Sequence, residues 1–189
     1  MVAASVPTTS DSSPCCLGIV IPCFNEEEVL PETALRLTNL LKGLIAEERI
    51  TPSSHVIFVD DGSSDGTWTL IEELACINPH VTGIKLSRNR GHQNAVLAGL
   101  FTAEGDILVS VDADLQDDIG VIPEMLTQYE RGMDVVYGVR KNRSSDSLFK
   151  RSTAQGFYRL MRALGAESVY NHADFRLMSR RTIEALKQF

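Results

Sequence analysis

The alternation of short apolar runs with longer amphipathic segments constrains the fold of this chain more than any other feature. Runs rich in Val, Ile and Leu predict five buried strands, at residues 17–22, 55–59, 81–86, 106–111 and 134–139. The segments between them carry apolar residues at helical spacing, which predicts helices at residues 26–48, 67–76, 94–103 and 119–131. Strands that alternate with helices favour right-handed βαβ crossovers. We therefore expect a Rossmann-like α/β fold with a mainly parallel central sheet flanked by helices.

The two ends of the chain depart from this pattern. Residues 1–14 are rich in Ser, Thr and Pro and predict a disordered tail, which leaves residues 15–189 as one domain. After the fifth strand, residues 140–151 are polar and Ser-rich, which predicts a mobile loop. A helix at about residues 153–164, the segment Asp174-Phe175-Arg176-Leu177-Met178 and a short helix from about Arg180 follow.

Composition narrows the classes of partner and compartment. The formal net charge is −7 and the pI is near 5.1, which argues against nucleic acid as a partner, because a phosphate backbone requires a basic surface. The cysteines at 15, 16, 23 and 76 form neither a CxxC metal pair nor a disulfide framework, so reduced thiols in a cytosolic setting are the simpler interpretation. No apolar stretch reaches the roughly 18 residues that a membrane helix requires.

Polar and mostly acidic residues follow three of the predicted strands. Asn25 and Glu26 follow the first strand, Asp60-Asp61 ends the second, and Asp112-Ala113-Asp114 follows the fourth. Ligands of parallel α/β sheets collect beyond the carboxyl ends of the strands. We therefore expect these side chains to meet at one edge of the sheet and to form the functional site.

The pair Asp112 and Asp114 admits two interpretations. Carboxylates on a turn, with the amide oxygen of Gln116 nearby, are hard ligands that suit Mg²⁺ or Mn²⁺, and these ions keep positions open for substrate phosphates. Alternatively the acids cap a helix and face the positive end of its dipole, an interpretation that fits Asp117 and Asp118. For Asp112 and Asp114, which directly follow an apolar strand, we favour the metal site.

The loop at residues 60–67, Asp-Asp-Gly-Ser-Ser-Asp-Gly-Thr, also has two interpretations. It is either a plain glycine-containing turn with Thr67 capping the next helix, or a site whose acids bind ribose or base donors. Neither the Walker A motif nor the Gly-x-Gly-x-x-Gly fingerprint occurs in the sequence. Their absence argues against P-loop ATPases and ordinary dehydrogenases.

Six segments together resemble one family of enzymes. They are Ile21-Pro22-Cys23-Phe24-Asn25-Glu26, Val59-Asp60-Asp61-Gly62-Ser63-Ser64-Asp65-Gly66-Thr67, Arg88-Asn89-Arg90-Gly91-His92-Gln93-Asn94-Ala95, Asp112-Ala113-Asp114-Leu115-Gln116-Asp117, Gly138-Val139-Arg140 and Ala173-Asp174-Phe175-Arg176-Leu177. In this order the sequence resembles the family 2 inverting glycosyltransferases of the GT-A fold. Within this family the combination resembles the polyprenyl-phosphate sugar transferases, the group that contains dolichol-phosphate mannose synthase and bactoprenol glucosyltransferases. The resemblance covers residues 17–188.

The resemblance implies a role for each matching residue. The nucleotide-sugar pocket would be lined by Pro22, Phe24, Asn25, Glu26, Val59, Asp61, Asp112, Ala113 and Arg140. The divalent metal, Mg²⁺ or Mn²⁺, would be held by Asp112, Asp114 and Gln116. Arg151 would bind the phosphate of the acceptor, and the catalytic residues would be Asp174 and Arg176. Asp174 would either accept a proton from the acceptor or orient it, since a phosphate acceptor needs little base strength.

The implied activity is metal-dependent transfer of a hexose, with inversion, from a UDP- or GDP-sugar to a polyprenyl phosphate such as undecaprenyl or dolichyl phosphate. The enzyme would work in the cytoplasm at the inner face of the membrane. Many members of the group carry C-terminal membrane helices, so either the chain ends before them or it docks at the membrane by surface contacts.

Other functions remain as alternatives. A transferase with a soluble or glycan acceptor and a non-catalytic nucleotide-sugar-binding domain both suit the same motifs. A nucleotidyltransferase is disfavoured, because it needs a Gly-rich, Arg-containing loop directly after the first strand, where this chain has residues 22–26. The Gln-x-x-Arg-Trp motif of processive polysaccharide synthases is absent, since the only tryptophan is Trp68.

Overall fold

A computed structural model describes residues 13–139 and 172–188 of the chain. Within these residues a six-stranded sheet has the order β3-β2-β1-β4-β6-β5. The strands are β1 Leu17–Cys23, β2 His55–Asp60, β3 Val81–Lys85, β4 Ile107–Ser110, β5 Val135–Val139 and β6 His172–Ser179. The first four strands run parallel, whereas β6 is antiparallel to both of its neighbours, β4 and β5. The predicted α/β fold with a mainly parallel sheet is confirmed.

Helices cover both faces of the sheet. They are α1 Leu30–Ala46, α2 Thr67–Ile77, α3 His92–Thr102, α4 Ile122–Glu130, preceded by a 3₁₀ turn at Ile119–Val121, and α5 Arg180–Leu186. Apolar residues of α1, α2 and α4 pack in one core cluster, and those of α3 and α5 pack in a second cluster on the other face. Because β1 lies between two strands and two helical layers, all seven of its residues are buried. Burial on both faces of the sheet explains why the strand sequences are continuously apolar.

The register brings the ends of three strands to one edge. Cys23 at the end of β1 pairs with Asp60 at the end of β2, and Val20 pairs with Ser110 at the end of β4. The residues that follow these strands therefore lie side by side at the carboxyl edge of the sheet. The convergence of polar side chains predicted from the sequence is confirmed for the loops after β1, β2 and β4.

The largest differences from the sequence predictions are at the start of α1 and at the segment with Asp174. Helix α1 begins at Leu30 instead of residue 26, and Pro31 in its first turn suits this start because the missing N–H has no helical partner there. The sequence predicts no strand or helix for the segment with Asp174, yet this segment forms β6, which lies between β4 and β5. Residues 1–12 of the tail predicted at 1–14, the loop at 140–151 and the helix at 153–164 lie outside the described residues. Among the helices that are described, none has the length and apolar character needed to cross a membrane.

Candidate functional site

The loops after β1 and β2 are joined by hydrogen bonds between backbone and side chains. The N–H of Asn25 donates to Ser63 Oγ at 3.0 Å, and the N–H of Ser64 donates to Asn25 Oδ1 at 2.9 Å. The N–H of Glu26 donates to Thr67 Oγ1 at 2.8 Å. Asn25 has a φ of 56°, a left-handed conformation that Asn tolerates better than most residues. The side-chain oxygen of Asn25 thus joins the two loops, and its predicted contact with a nucleotide sugar stays a prediction.

Glu27 and Asp65 extend the same junction. The N–H of Gly66 donates to Glu27 Oε2 at 2.6 Å, and the N–H of Glu27 donates to Asp65 Oδ2 at 3.3 Å. Each loop therefore supplies both donors and acceptors to the other. Such reciprocal bonds satisfy backbone groups that neither helix nor sheet can pair, and they hold the two loops in a single arrangement.

Asp61 is buried, with 2% of its surface exposed. Its two carboxylate oxygens accept from the backbone N–H groups of Arg90 at 2.7 Å and Gly91 at 2.8 Å. Next to it, Gly62 has a φ of 72°, and a Cβ at this position would lie 2.5 Å from the carbonyl carbon of Arg88. The turn after β2 is therefore packed directly against the loop that leads into α3, and the Asp61 carboxylate anchors that loop.

Asp60 is fully buried at the end of β2. Its Oδ1 accepts from the N–H of Ser63 at 3.0 Å, whereas its Oδ2 has no hydrogen-bond partner within the described part of the chain. This carboxylate lies beneath the loop and not at its surface. The adjacent acids Asp60 and Asp61 are therefore both buried.

The residues that follow β4 form an acidic turn, defined here as residues 112–118. Within it, Leu115 N–H donates to the carbonyl of Asp112 at 3.2 Å, and Leu115 adopts a left-handed φ of 47°. Gln116 donates to both oxygens of Asp114, through its N–H at 3.1 Å and its Nε2 at 2.8 Å. Asp118 accepts from Gly120 N–H at 2.9 Å and so caps the 3₁₀ turn. The capping interpretation is therefore confirmed for Asp118, whereas no cap is formed by Asp114, which is exposed.

Negative charge accumulates around Glu26. The pKa of Glu26 is raised, first by partial burial and then by the charges of Asp114, Asp65 and Asp112. Carboxylates of the β1 loop, the β2 loop and the acidic turn are thus close enough to repel one another. A divalent cation at this edge would offset that repulsion.

His92 is a residue of this edge to which the sequence prediction gave no role. It is the first residue of α3, and its Nε2 lies 3.7 Å from Asp112 Oδ1. Its place in the sequence, shortly after β3, was a usable signal, because residues that follow a parallel strand lie at the carboxyl edge.

The acidic turn fits a divalent cation that takes few protein ligands. Among residues 13–139 and 172–188, no group of three or more His, Cys, Asp or Glu side chains has a geometry that would hold a metal. Mg²⁺ typically binds through one or two carboxylates, water and substrate phosphates. Asp112 and Asp114 would supply two carboxylates, and Gln116, whose amide nitrogen donates to Asp114, would offer its amide oxygen as a third ligand.

The other predicted site residues lie near the ends of β1, β2 and β4, in β6, or outside the described residues. Pro22 and Val59 are buried and paired in register, and Ala113 is 4% exposed, whereas the Phe24 ring is 46% exposed. Arg176 in β6 pairs with Ser110, a register that brings the backbone of Asp174 toward the edge where the acidic turn begins. Arg140 and Arg151 lie outside the described residues, as does the side chain of Asp174.

Comparison with known sequences identifies relatives over most of the chain. The profile described as glycosyl transferase family 2 matches residues 18–187. An uncharacterized glycosyltransferase of Bacillus subtilis (strain 168), YkoT, is 53% identical over 175 residues, which are 92% of this chain and 52% of that protein. The bactoprenol glucosyl transferase of Shigella phage SfV is 37% identical over 173 residues, which are 90% of this chain and 54% of that protein. The chain spans about half the length of the curated relatives it matches.

Solved structures agree on the fold. A mannosyltransferase of Pyrobaculum calidifontis, PcManGT, in complex with GDP-Man and Mn²⁺, matches with a TM-score of 0.60 at 20% identity, over 92% of this chain and 47% of that one. This likeness supports the GT-A-like arrangement of the sheet and helices. Since the family profile covers nearly the whole sequence and a relative is 53% identical, the chain belongs to glycosyl transferase family 2.

Proposed function

We propose that the chain is the catalytic domain of a metal-dependent inverting glycosyltransferase that moves a hexose from a UDP- or GDP-sugar to a polyprenyl phosphate. One observation carries the proposal most directly. Partial burial and then the charge of the exposed Asp114, with those of Asp65 and Asp112, raise the pKa of Glu26 in the loop after β1. Carboxylates gathered in this way favour a cation, and a cation favours a diphosphate.

The donor would bind across the two joined loops and the acidic turn. The half-exposed ring of Phe24 offers a face on which a base stacks. Asp112, Asp114 and Gln116 would hold Mg²⁺ or Mn²⁺, which when bound neutralises charge on the leaving diphosphate. Arg140 would add a guanidinium for the phosphates, a group suited to bidentate binding. PcManGT, which is complexed with GDP-Man and Mn²⁺, supports this choice of donor and ion.

The acceptor would approach from the side of β6. The register of β6 brings Asp174 and Arg176 toward the end of β4, where Asp112 begins the acidic turn. Asp174 would orient the attacking oxygen or take its proton, and Arg176 and Arg151 would bind acceptor phosphate. A phosphate oxygen is already a competent nucleophile, so the demand on Asp174 is mainly for position.

A polyprenyl acceptor is supported by the relatives named bactoprenol glucosyl transferase, which are 37% identical to this chain. Such an acceptor is embedded in lipid, so the domain would act at the cytoplasmic face of a membrane. A water-soluble or glycan acceptor is the alternative within the same enzyme class, and a nucleotide-sugar-binding domain without catalysis is the alternative outside it.

Transfer of label tests the proposal. The full chain is incubated with Mn²⁺, a panel of radiolabelled UDP- and GDP-hexoses, and undecaprenyl or dolichyl phosphate in detergent. We expect label in a chloroform-extractable product for one donor, and none with the Asp114→Asn variant. Label only in a water-soluble product would overturn the lipid acceptor. Donor binding without transfer to any acceptor would favour the non-catalytic domain.

A further inference from the structure

A buried hydroxyl on α1 contacts the acidic turn from beneath. Thr33 is 2% exposed, and its Oγ1 donates to the carbonyl oxygen of Ala113 at 2.6 Å. The two residues are 80 positions apart in the sequence. Ala113 stands between Asp112 and Asp114, so this hydrogen bond holds the peptide unit that joins Ala113 to Asp114.

Three further hydrogen bonds of the acidic turn are local. The side chain of Asp114 accepts only from Gln116 among the described contacts, and Leu115 N–H donates to Asp112 within the same turn. Bonds of this kind fix the shape of the turn. The bond from Thr33 differs, because it ties the turn to a helix in the core.

The conformation of the turn also requires support from its surroundings. Leu115 has a left-handed φ of 47°, which an L-residue with a bulky side chain adopts only when its surroundings enforce it. The side chains of Ala113 and Leu115 pack in the same core cluster as Leu30 and Ala34 of α1. Helix α1 thus donates a hydrogen bond to the acidic turn and belongs to the same apolar cluster as its buried side chains.

We propose that Thr33 is a positioning residue for Asp112 and Asp114, and that its hydroxyl sets how tightly the turn binds a divalent cation. This inference rests on the proposed metal role of the two aspartates. Groups that orient metal ligands without touching the metal commonly change metal affinity by about 10–100-fold when they are removed. Because Thr33 is buried in the core, it acts on the cation only through the Ala113 peptide.

Two substitutions at Thr33 separate the hydroxyl from the volume of the side chain. Thr33→Val keeps the shape but replaces the donor with a methyl group, and a carbon needs about 3.3 Å or more from a carbonyl oxygen. The Ala113 carbonyl, which lies at 2.6 Å from the hydroxyl, would have to move and would lose its donor. Thr33→Ser retains the hydroxyl and should restore the bond.

Thr38 provides a matched control on the same helix. It is 4% exposed, and its Oγ1 accepts from Asn78 Nδ2 at 3.0 Å, a partner that follows α2 and lies outside the acidic turn. Thr38→Val therefore removes a buried threonine hydroxyl of α1 without disturbing Asp112 or Asp114. Any general effect of such a loss on the fold appears in both valine variants.

The experiment is a titration of the full chain with Mn²⁺ followed by electron paramagnetic resonance, without donor or acceptor. We expect Thr33→Val to bind Mn²⁺ about tenfold more weakly than the wild type. Thr33→Ser and Thr38→Val should bind Mn²⁺ as the wild type does, and thermal unfolding should show that all variants are folded.

The outcomes separate this inference from the proposed function. Equal affinity of Thr33→Val and Thr38→Val would overturn the positioning role while leaving the metal site intact. If the wild type does not bind Mn²⁺, or if Asp114→Asn binds it unchanged, the metal assignment fails and this inference fails with it.

Discussion

The acids that follow β2 and the acids that follow β4 look alike in the sequence and differ in the structure. Asp60 and Asp61 are 0% and 2% exposed, and backbone N–H groups donate to both oxygens of Asp61 and to one of Asp60. Asp114 is exposed, and its oxygens accept only from neighbouring Gln116 among the described contacts. Both pairs end parallel strands at the same edge of the sheet.

The difference shows that acids at one edge of the sheet have two roles: some stabilise the loops, and others remain available to bind a ligand. A carboxylate enclosed by backbone donors stabilises the loops that it joins, because charge-assisted hydrogen bonds to buried N–H groups are strong. An exposed carboxylate on a rigid turn keeps its charge for a ligand. Asp61 therefore shapes the site, and the exposed Asp114, together with the half-buried Asp112, would bind a ligand in it.

The largest effect should follow from removing a charge of the acidic turn. Asp114→Asn should lower sugar transfer by roughly 100-fold or more and abolish Mn²⁺ binding, since a cation of this kind depends on very few protein carboxylates. Asp118→Asn is the control in the same turn, because Asp118 caps the 3₁₀ turn and an Asn side chain also caps. Steady-state transfer rates and Mn²⁺ titration measure both. Equal losses in the two variants would show that the turn acts through its net charge.

The close packing of the turn after β2 predicts that a substitution at Gly62 destabilises the protein. Gly62→Ala places a Cβ 2.5 Å from backbone atoms of Arg88 and Asn89, at a φ of 72° that alanine disfavours. We expect a decrease of about 3 kcal/mol in the free energy of unfolding, from the left-handed backbone and the overpacking together. Urea denaturation measures the change. A stability equal to that of the wild type would mean that the loop at residues 88–91 moves away at little cost.

A smaller loss is expected at Asp61. Asp61→Asn turns an amide NH₂ toward the N–H of Arg90 or Gly91, so at least one charge-assisted hydrogen bond is lost. The free energy of unfolding should fall by about 2 kcal/mol in protein without donor or metal. Asp114→Asn, measured in the same way, should change it little, because the side chain is exposed and its charge is repelled by Glu26. If both substitutions destabilise the protein equally, the assignment of a structural role to Asp61 and a binding role to Asp114 is wrong.

The sequence was sufficient to predict elements whose signal is local. Apolar runs predicted β1 to β5, and helical spacing predicted α1 to α4, because each buries a face that is visible within a few residues. Strand β6 was not predicted, since its pairing depends on Ser110 and Tyr137, which lie far from Arg176 in the sequence. Its position between β4 and β5 has no local signal.

The same limit applies to the site. Parallel strands bring their carboxyl ends together, so the edge and its acids followed from the order of elements alone. The burial of Asp61 did not follow, because it depends on the residue 88–91 loop folding over the β2 turn. Asn25 belongs to one of the motif segments, but the sequence did not show that its side chain would join the loops after β1 and β2. Segments distant in the sequence bury Asp61 and leave Asp114 exposed, although the sequence alone does not distinguish the two acids.

The smallest effect, at Glu26, measures how strongly the acidic turn repels its surroundings. Partial burial and the charges of Asp114, Asp65 and Asp112 raise the pKa of Glu26 in the folded protein. Between its unfolded and folded pKa values the folded state binds more protons, so the stability of the metal-free protein falls as pH rises through this window and stays lower above it. Glu26→Gln should therefore stabilise the metal-free protein near pH 7 by about 0.5 kcal/mol or less, since solvent screens a partly exposed group, and should have no effect below about pH 4. Thermal unfolding at both pH values measures the difference. Added Mn²⁺ should reduce it, because a cation between Asp112 and Asp114 offsets the charges that act on Glu26, and a difference unaffected by Mn²⁺ would locate the cation elsewhere.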